Sequence, residues 1–374
     1  MTTNPHPPPN ARAGDIAAPV VPTRDIPTAA AGAHDIVTPD VRTIDYHTAG
    51  EPFRIVVDPP VAILGETVAE RRVFAISDPS VDDLRRMLCF EPRGHADMYG
   101  GLITPPDDDG AAFGVLFWHK DGFSTACGHG TIALGAWAIE SGRVTADPSG
   151  ITEVEIDVPS GRVTARVHTS DGRVTGVDFV SVASYAIAQA VSVPTARGQV
   201  LADIAYGGAI YAHVNASAVG LTVEPRHIDQ LIAIGREIRW ALNDSEHARH
   251  PSDDRLSGVY GTILYDELGE DADGNLYQRN VAIFADGEVD RSPCGSGTAS
   301  RVAMLSATGH LSADCHLVHD SIVGSRFDAR ILRHVTAENR PAVIPIISGT
   351  AYKTGEHLFT ADPADPLFPG FVLR

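Results

Sequence analysis

No stretch of this 374-residue chain approaches the 18 or so apolar residues of a membrane-spanning helix, so no membrane contact is expected. Cysteine is scarce: four residues are too few for a disulfide scaffold in a chain this long. Basic residues are outnumbered, 29 Lys and Arg against 48 Asp and Glu, giving a formal net charge of 29 − 48 = −19. An extended basic surface is therefore missing, and nucleic-acid binding is not expected. The first residues lack a basic region followed by an apolar stretch, so no secretory signal is visible. The expectation is a cytoplasmic protein with reduced thiols. What remains is an apolar fraction of 43%, enough to build real cores, and a length that suits about two domains.

The chain uses one motif twice. Cys127-Gly128-His129-Gly130-Thr131 and Cys294-Gly295-Ser296-Gly297-Thr298 share the pattern C-G-x-G-T. Each precedes an apolar, helix-like stretch that stops at a glycine, Gly142 or Gly309, and both intervals are 15 residues (142 − 127 and 309 − 294). Motif, interval and stop together predict two similar half-molecules. Ile132 to Ile139 is apolar almost all round, as in a helix held inside a structure. Ala299 to Ala307 is similar but carries Ser300, Arg301 and Ser306. Gly142 and Gly309 are expected as the residues that close these helices.

Residues 1–41 hold eight Pro and little apolar periodicity, which predicts a disordered tail. The folded region is expected from about Thr43. Val154–Val158, Val163–Val167 and Val174–Val182 alternate apolar and polar residues between glycine-containing turns, the pattern of an antiparallel meander. Val281–Phe284 reads as a further strand, and Asp266 to Leu276 as a hairpin loop. Within that loop, Asp271-x-Asp273-Gly274-Asn275 lacks the ligand spacing and terminal Glu of a calcium loop.

Cysteine at a helix entrance carries the chemistry. The first N–H groups of a helix lack internal partners and carry partial positive charge. They are expected to lower the thiol pKa and to bind a carboxylate where Gly admits it to the backbone. A substrate carboxylate held by both helix ends would place one Cys on each face of Cα. One thiolate then removes the Cα proton while the opposite thiol supplies one, and the roles exchange in reverse. That scheme uses no metal or organic cofactor.

Plainer readings compete. A single Cys-Gly-x-Gly is ordinarily a turn with an inert Cys; two copies with matching helices reverse that weighting. Cys89 reads as a core residue and Cys315 has no motif; Cys315, His316 and His319 lack the second pair that a metal cluster needs. Gly295-Ser296-Gly297-Thr298 lacks the Lys of a phosphate loop. Asp290 alone would be a capping or turn residue. A Cys–His hydrolase gives no reason for a second matching thiol, and a carboxylate-binding module without turnover remains a rival.

Cys127-Gly128-His129-Gly130 and Asp290-Arg291-Ser292-Pro293-Cys294-Gly295-Ser296-Gly297-Thr298 resemble the two signatures of the proline racemase family. That family comprises proline racemases, 4-hydroxyproline 2-epimerases and trans-3-hydroxyproline dehydratases. Further matching segments are His47–Pro52, Pro92–Gly100, Asp203–Gly208 and Ser321–Ser325. The resemblance runs from about Thr43 to the C-terminus. It implies an α+β, diaminopimelate-epimerase-like fold of two pseudo-symmetric β-rich halves, each wrapped around a central helix, with the active site in the cleft between them. The expected division is 42–182 plus about 346–374 for the half with Cys127, and 183–345 for the half with Cys294.

The resemblance further implies that Cys127 and Cys294 are the acid/base pair. Gly128, His129, Gly295 and Ser296 would hold the substrate, with Asp290 and His129 on its amino group. An Asp and a His acceptor suit a secondary ammonium. The implied partner is a small imino acid, proline or a hydroxyproline, and the implied assembly a homodimer. Trans-3-hydroxyproline dehydratases typically carry Thr where this chain has Cys294, so two thiols favour racemisation or epimerisation. Asp97–Gly100, Ser124-Thr125 and Gly258–Thr262 look instead like the dehydratase branch, and the His that 4-hydroxyproline epimerases carry near Gly261 is missing.

Overall fold

The computed structural model describes residues 40–362 and 364–373, all within one compact unit. The proposed tail lies outside the described residues except for Asp40 and Val41. Val41 is already buried and opens the first strand, two residues before the expected start. No helix among the described residues is long and apolar enough to cross a membrane.

The first stretch runs β1 (Val41–Thr48), β2 (Glu51–Val56), α1 (Val68–Ser77), α2 (Pro79–Cys89), β3 (Gly100–Thr104), β4 (Phe113–His119), β5 (Gly122–Phe123), α3 (Gly128–Glu140), β6 (Ile151–Val158), β7 (Gly161–Ser170) and β8 (Arg173–Val180). The second runs β9 (Tyr185–Thr195), β10 (Gly198–Tyr206), β11 (Ile210–Asn215), α4 (Ile228–Asn243), β12 (Val259–Glu270), β13 (Leu276–Phe284), β14 (Glu288–Asp290), α5 (Gly295–Ala307), β15 (Leu317–Ser321), β16 (Arg326–Ala337) and β17 (Arg340–Gly349); β18 (Ala351–Phe359) follows.

The pairing pattern occurs twice. In the ladder β18-β1-β2-β3-β4-β6-β7-β8, the β2–β3 and β4–β6 pairs are parallel and the others antiparallel. In β9-β10-β11-β12-β13-β15-β16-β17 the parallel pairs are β11–β12 and β13–β15, at the same two places. Parallel neighbours need a crossover. The first crossover holds α1 and α2 in one ladder and α4 in the other; the second holds α3 and α5. Antiparallel pairing of β8 with β17 joins the two ladders.

Both central helices are buried almost all round, as their sequences predict. Gly128 through Ala138 of α3 and Gly295 through Leu305 of α5 are all buried. Ser300 is accommodated because its hydroxyl donates to Gly297 O at 2.8 Å and meets His213 Nε2 at 2.9 Å. Gly142 (φ 73°) and Gly309 (φ 74°) close the helices in the left-handed region. At the second end the Gly309 N–H donates to Ser306 O and the His310 N–H to Leu305 O, a double closure that satisfies two terminal carbonyls. The turn between β7 and β8 forms at Asp171 (φ 51°) and Gly172 (φ 74°), as expected.

One element differs from expectation. Asp266 to Glu270 continues β12 and pairs with Leu276 to Arg279, so the hairpin loop shrinks to residues 271–275. Polar residues are tolerated there because Glu267 to Glu270 lie on the exposed end of the hairpin. The Asp271 carboxylate closes the loop by accepting the Asp273 and Asn275 N–H groups.

Candidate active site

β5 leads the chain into α3 and β14 leads it into α5, so the two cysteines stand at matching entrances. Cys127 is the N-cap of α3, with extended backbone (φ −154°, ψ 101°), and its sulfur accepts the Gly130 N–H at 3.2 Å. Cys294 is the N-cap of α5, at φ 62° and ψ 102°, a conformation that costs a non-glycine residue of order 1–3 kcal/mol. Its sulfur lies 3.8 Å from the Tyr211 hydroxyl.

The helix entrances abut through their first glycines. A Cβ on Gly128 would stand 2.6 Å from Gly295 Cα, and one on Gly295 would stand 2.5 Å from Gly128 Cα. The second glycines make room for sulfur: a Cβ on Gly130 would lie 2.7 Å from Cys127 Sγ, and one on Gly297 2.9 Å from Cys294 Sγ. Both glycines of each motif therefore have a steric reason.

His129 and Asp290 meet at this junction. His129 Nδ1 lies 3.7 Å from Asp290 Oδ2, and the ring contacts Cys127 Sγ at 3.5 Å. Asp290 Oδ1 accepts the Ser292 N–H and hydroxyl, so one oxygen holds the turn and the other faces the junction. Ser296 is buried, its hydroxyl 2.7 Å from the Tyr211 hydroxyl. All seven residues singled out in the sequence are thus brought together.

The electrostatics correct one expectation. Burial pushes both thiols well above the ordinary range, and the Asp290 carboxylate adds to the rise. The Gly130 and Gly297 N–H groups pull the other way but do not win. The sequence reveals the helix entrance; it does not reveal full desolvation beside carboxylates. Burial lowers the pKa of His129, leaving a neutral imidazole, although Asp290 opposes the shift.

The sequence reading left out several residues. Glu51 is fully buried; Oε2 accepts the Arg291 N–H at 2.7 Å, while Oε1 has no partner. Burial, then the neighbouring Asp290, raises its pKa well above the carboxyl range. Tyr99 hydrogen-bonds the Ser124 hydroxyl and lies 3.1 Å from the Tyr260 hydroxyl, and its ring meets His129 edge-on with centroids 5.0 Å apart. Glu51, Tyr99, Ser124 and Tyr260 all lie inside segments of the family resemblance, which was the available signal. Tyr211, in Ile210-Tyr211-Ala212, reads only as strand.

Cys315, His316 and His319 have different partners: the first contacts Ser312, the second Asp328 and the third Thr298. Donor atoms of His119, Asp121 and Glu288 do come within 4.8 Å of one another. The Lys120 ammonium, 3.0 Å from both Asp121 oxygens, already neutralises that carboxylate. His119 Nδ1 lies 3.0 Å from Glu288 Oε1, linking β4 to β14.

A family model described as proline racemase matches residues 43–372. The chain belongs to the proline racemase family. It is 42% identical over 311 residues to a 3-hydroxyproline 2-epimerase of Burkholderia multivorans, covering 83% of this chain and 91% of that protein. It is equally similar, over the same shares, to a trans-3-hydroxy-L-proline dehydratase of Burkholderia cenocepacia. A crystal structure of a hydroxyproline epimerase from Agrobacterium vitis, with bound trans-4-hydroxy-L-proline, superposes with a TM-score of 0.82 at 31% identity, covering 89% of this chain and 96% of that one. The α+β, diaminopimelate-epimerase-like fold expected for a proline racemase family member is the fold observed.

Proposed function

We propose that the protein inverts Cα of a small imino acid, a hydroxyproline or proline, using Cys127 and Cys294 as the acid/base pair. The observation that carries this reading is the placement of two buried thiols on matching N-caps whose helices meet at Gly128 and Gly295. The N–H groups of Gly128, His129, Gly295 and Ser296 would receive the substrate carboxylate and stabilise the charge that enters it as Cα ionises. Asp290 and neutral His129 would accept hydrogen bonds from the substrate ammonium.

The raised thiol pKa values fit this scheme. An arriving ammonium offsets the Asp290 carboxylate, which removes part of what holds both thiols protonated. Ionising one thiol disfavours ionisation of the other, since Cys294 contributes to the raised pKa of Cys127. The site would then hold one thiolate and one thiol, as two-base inversion requires. The scheme uses no cofactor.

A second reading, dehydration of trans-3-hydroxy-L-proline, is supported by the similarity to the Burkholderia cenocepacia dehydratase and by the linked hydroxyls of Tyr99, Ser124 and Tyr260. A ring hydroxyl beside that cluster would find both a donor and an acceptor.

The deciding experiment incubates the protein in deuterated buffer with L-proline, trans-4-hydroxy-L-proline and trans-3-hydroxy-L-proline, following Cα–H by NMR. Exchange with growth of the opposite Cα configuration supports inversion and names the substrate. A ketone-forming product from the 3-hydroxy compound alone supports dehydration. No exchange with any of the three overturns both.

A further inference from the structure

Arg301 lies seven residues beyond Cys294 on α5, two helical turns on. It is 3% exposed, and a guanidinium keeps its charge in any protein environment. Its Nε donates to Gln278 Oε1 at 3.0 Å, and its Cζ lies 3.9 Å from the centre of the Tyr265 ring. Among the described residues it enters no ion pair, and its side-chain hydrogen bond is the one made by Nε. Its field is felt nearby: burial first, then the Arg301 charge, holds His213 and His319 neutral. Burying a charge without a partner is costly.

Arg301 helps line a cavity of about 390 Å³ that is also bounded by Asp203, Glu267, Glu270, Tyr277 and His310. That volume falls within the roughly 300–1,000 Å³ typical of small-molecule sites. Asp203 accepts the Ala190 N–H. Glu267 and Glu270 are exposed and enter no ion pair among the described residues. Phosphate would meet three carboxylates beside one guanidinium, and a simple cation would meet the guanidinium. A molecule carrying a carboxylate and an ammonium satisfies both charges at once.

We propose that this cavity is a second ligand site, distinct from the thiol cleft, for a small zwitterion of the α-amino or imino acid class. Its carboxylate pairs with the Arg301 guanidinium in the bidentate manner that such groups favour, and its ammonium faces Glu267 and Glu270. Because Arg301 and Cys294 share α5, a ligand held there bears on the helix that carries one thiol.

The test titrates L-proline, glycine, acetate and inorganic phosphate separately into the full-length protein and follows arginine Nε–Hε resonances by NMR. The Arg301 signal is identified by its Overhauser contact to the Tyr265 ring. Both zwitterions are expected to move that signal saturably, and phosphate to leave it in place. The exposed double variant E267Q/E270Q is expected to weaken the zwitterions about tenfold while leaving acetate no weaker. An Arg301 signal unmoved by either zwitterion overturns the proposal, as does a shift that phosphate reproduces or one that E267Q/E270Q does not weaken. The readout is binding, so either result leaves the thiol chemistry to be judged on its own experiment.

Discussion

Gly128 and Gly295 face each other across the centre of the molecule at a separation that excludes a side chain on either, since an added Cβ would come within 2.6 Å of the opposite Cα. Alanine at either position has to push the helix entrances apart. Gly128→Ala is expected to fold and yet lose about 100-fold or more in kcat/KM, the scale at which misplacement of about 1 Å is felt. Circular dichroism checks the fold and isotope exchange at Cα checks the rate. Full activity in this variant would remove the steric reason offered for the glycines.

The thiols are expected to act as a pair. Cys127→Ser and Cys294→Ser should each lower racemisation or epimerisation by about 10²–10⁴-fold, the usual worth of a positioned acid or base. The double variant should be hardly worse than either single one, because the residues work as one unit. A double variant whose loss is the product of the single losses would indicate two independent roles.

Glu51 gives the stability a pH dependence of definite sign. Its folded-state pKa is raised by burial and then by Asp290, so folding holds its proton. The stabilisation is complete below the unfolded carboxyl pKa, near 4.3, and is lost as pH rises through the folded value. Denaturant midpoints for the wild type should therefore fall from about pH 5 upward relative to those of Glu51→Gln, which lacks the titrating group. Parallel profiles for the two proteins would contradict this.

The hydroxyl cluster makes a prediction about selectivity. Tyr99→Phe breaks the bonds to Ser124 and Tyr260. The ratio of kcat/KM for trans-3-hydroxy-L-proline over L-proline should fall about tenfold or more, as when a hydroxyl-reading site loses its partner. An unchanged ratio would place the ring hydroxyl elsewhere.

Repetition and local chemistry were legible in the chain. The two C-G-x-G-T motifs and the closing glycines Gly142 and Gly309 predicted two buried helices of matching design, and the glycine-containing turn between Val163–Val167 and Val174–Val182 predicted a hairpin. Long-range desolvation was not legible. The helix entrance beside Cys127 can be read locally, whereas the burial and the Asp290 field that outweigh it come from parts distant in sequence. Tyr211 escaped for a related reason: an aromatic residue in an apolar strand gives no sign that its hydroxyl will meet Ser296, 85 residues later. The polar end of β12 was misread because exposed antiparallel strands need little hydrophobicity.

Finally, β18 pairs with β1 in the place that β9 takes beside β10, although β1 and β18 stand at opposite ends of the described chain. During synthesis, the ladder begun by β1 therefore waits for its outer strand until everything in between has left the ribosome. The ladder running from β9 to β17 has no such wait. Two structurally equivalent halves thus mature on unequal schedules, and the one bearing Cys127 is completed last.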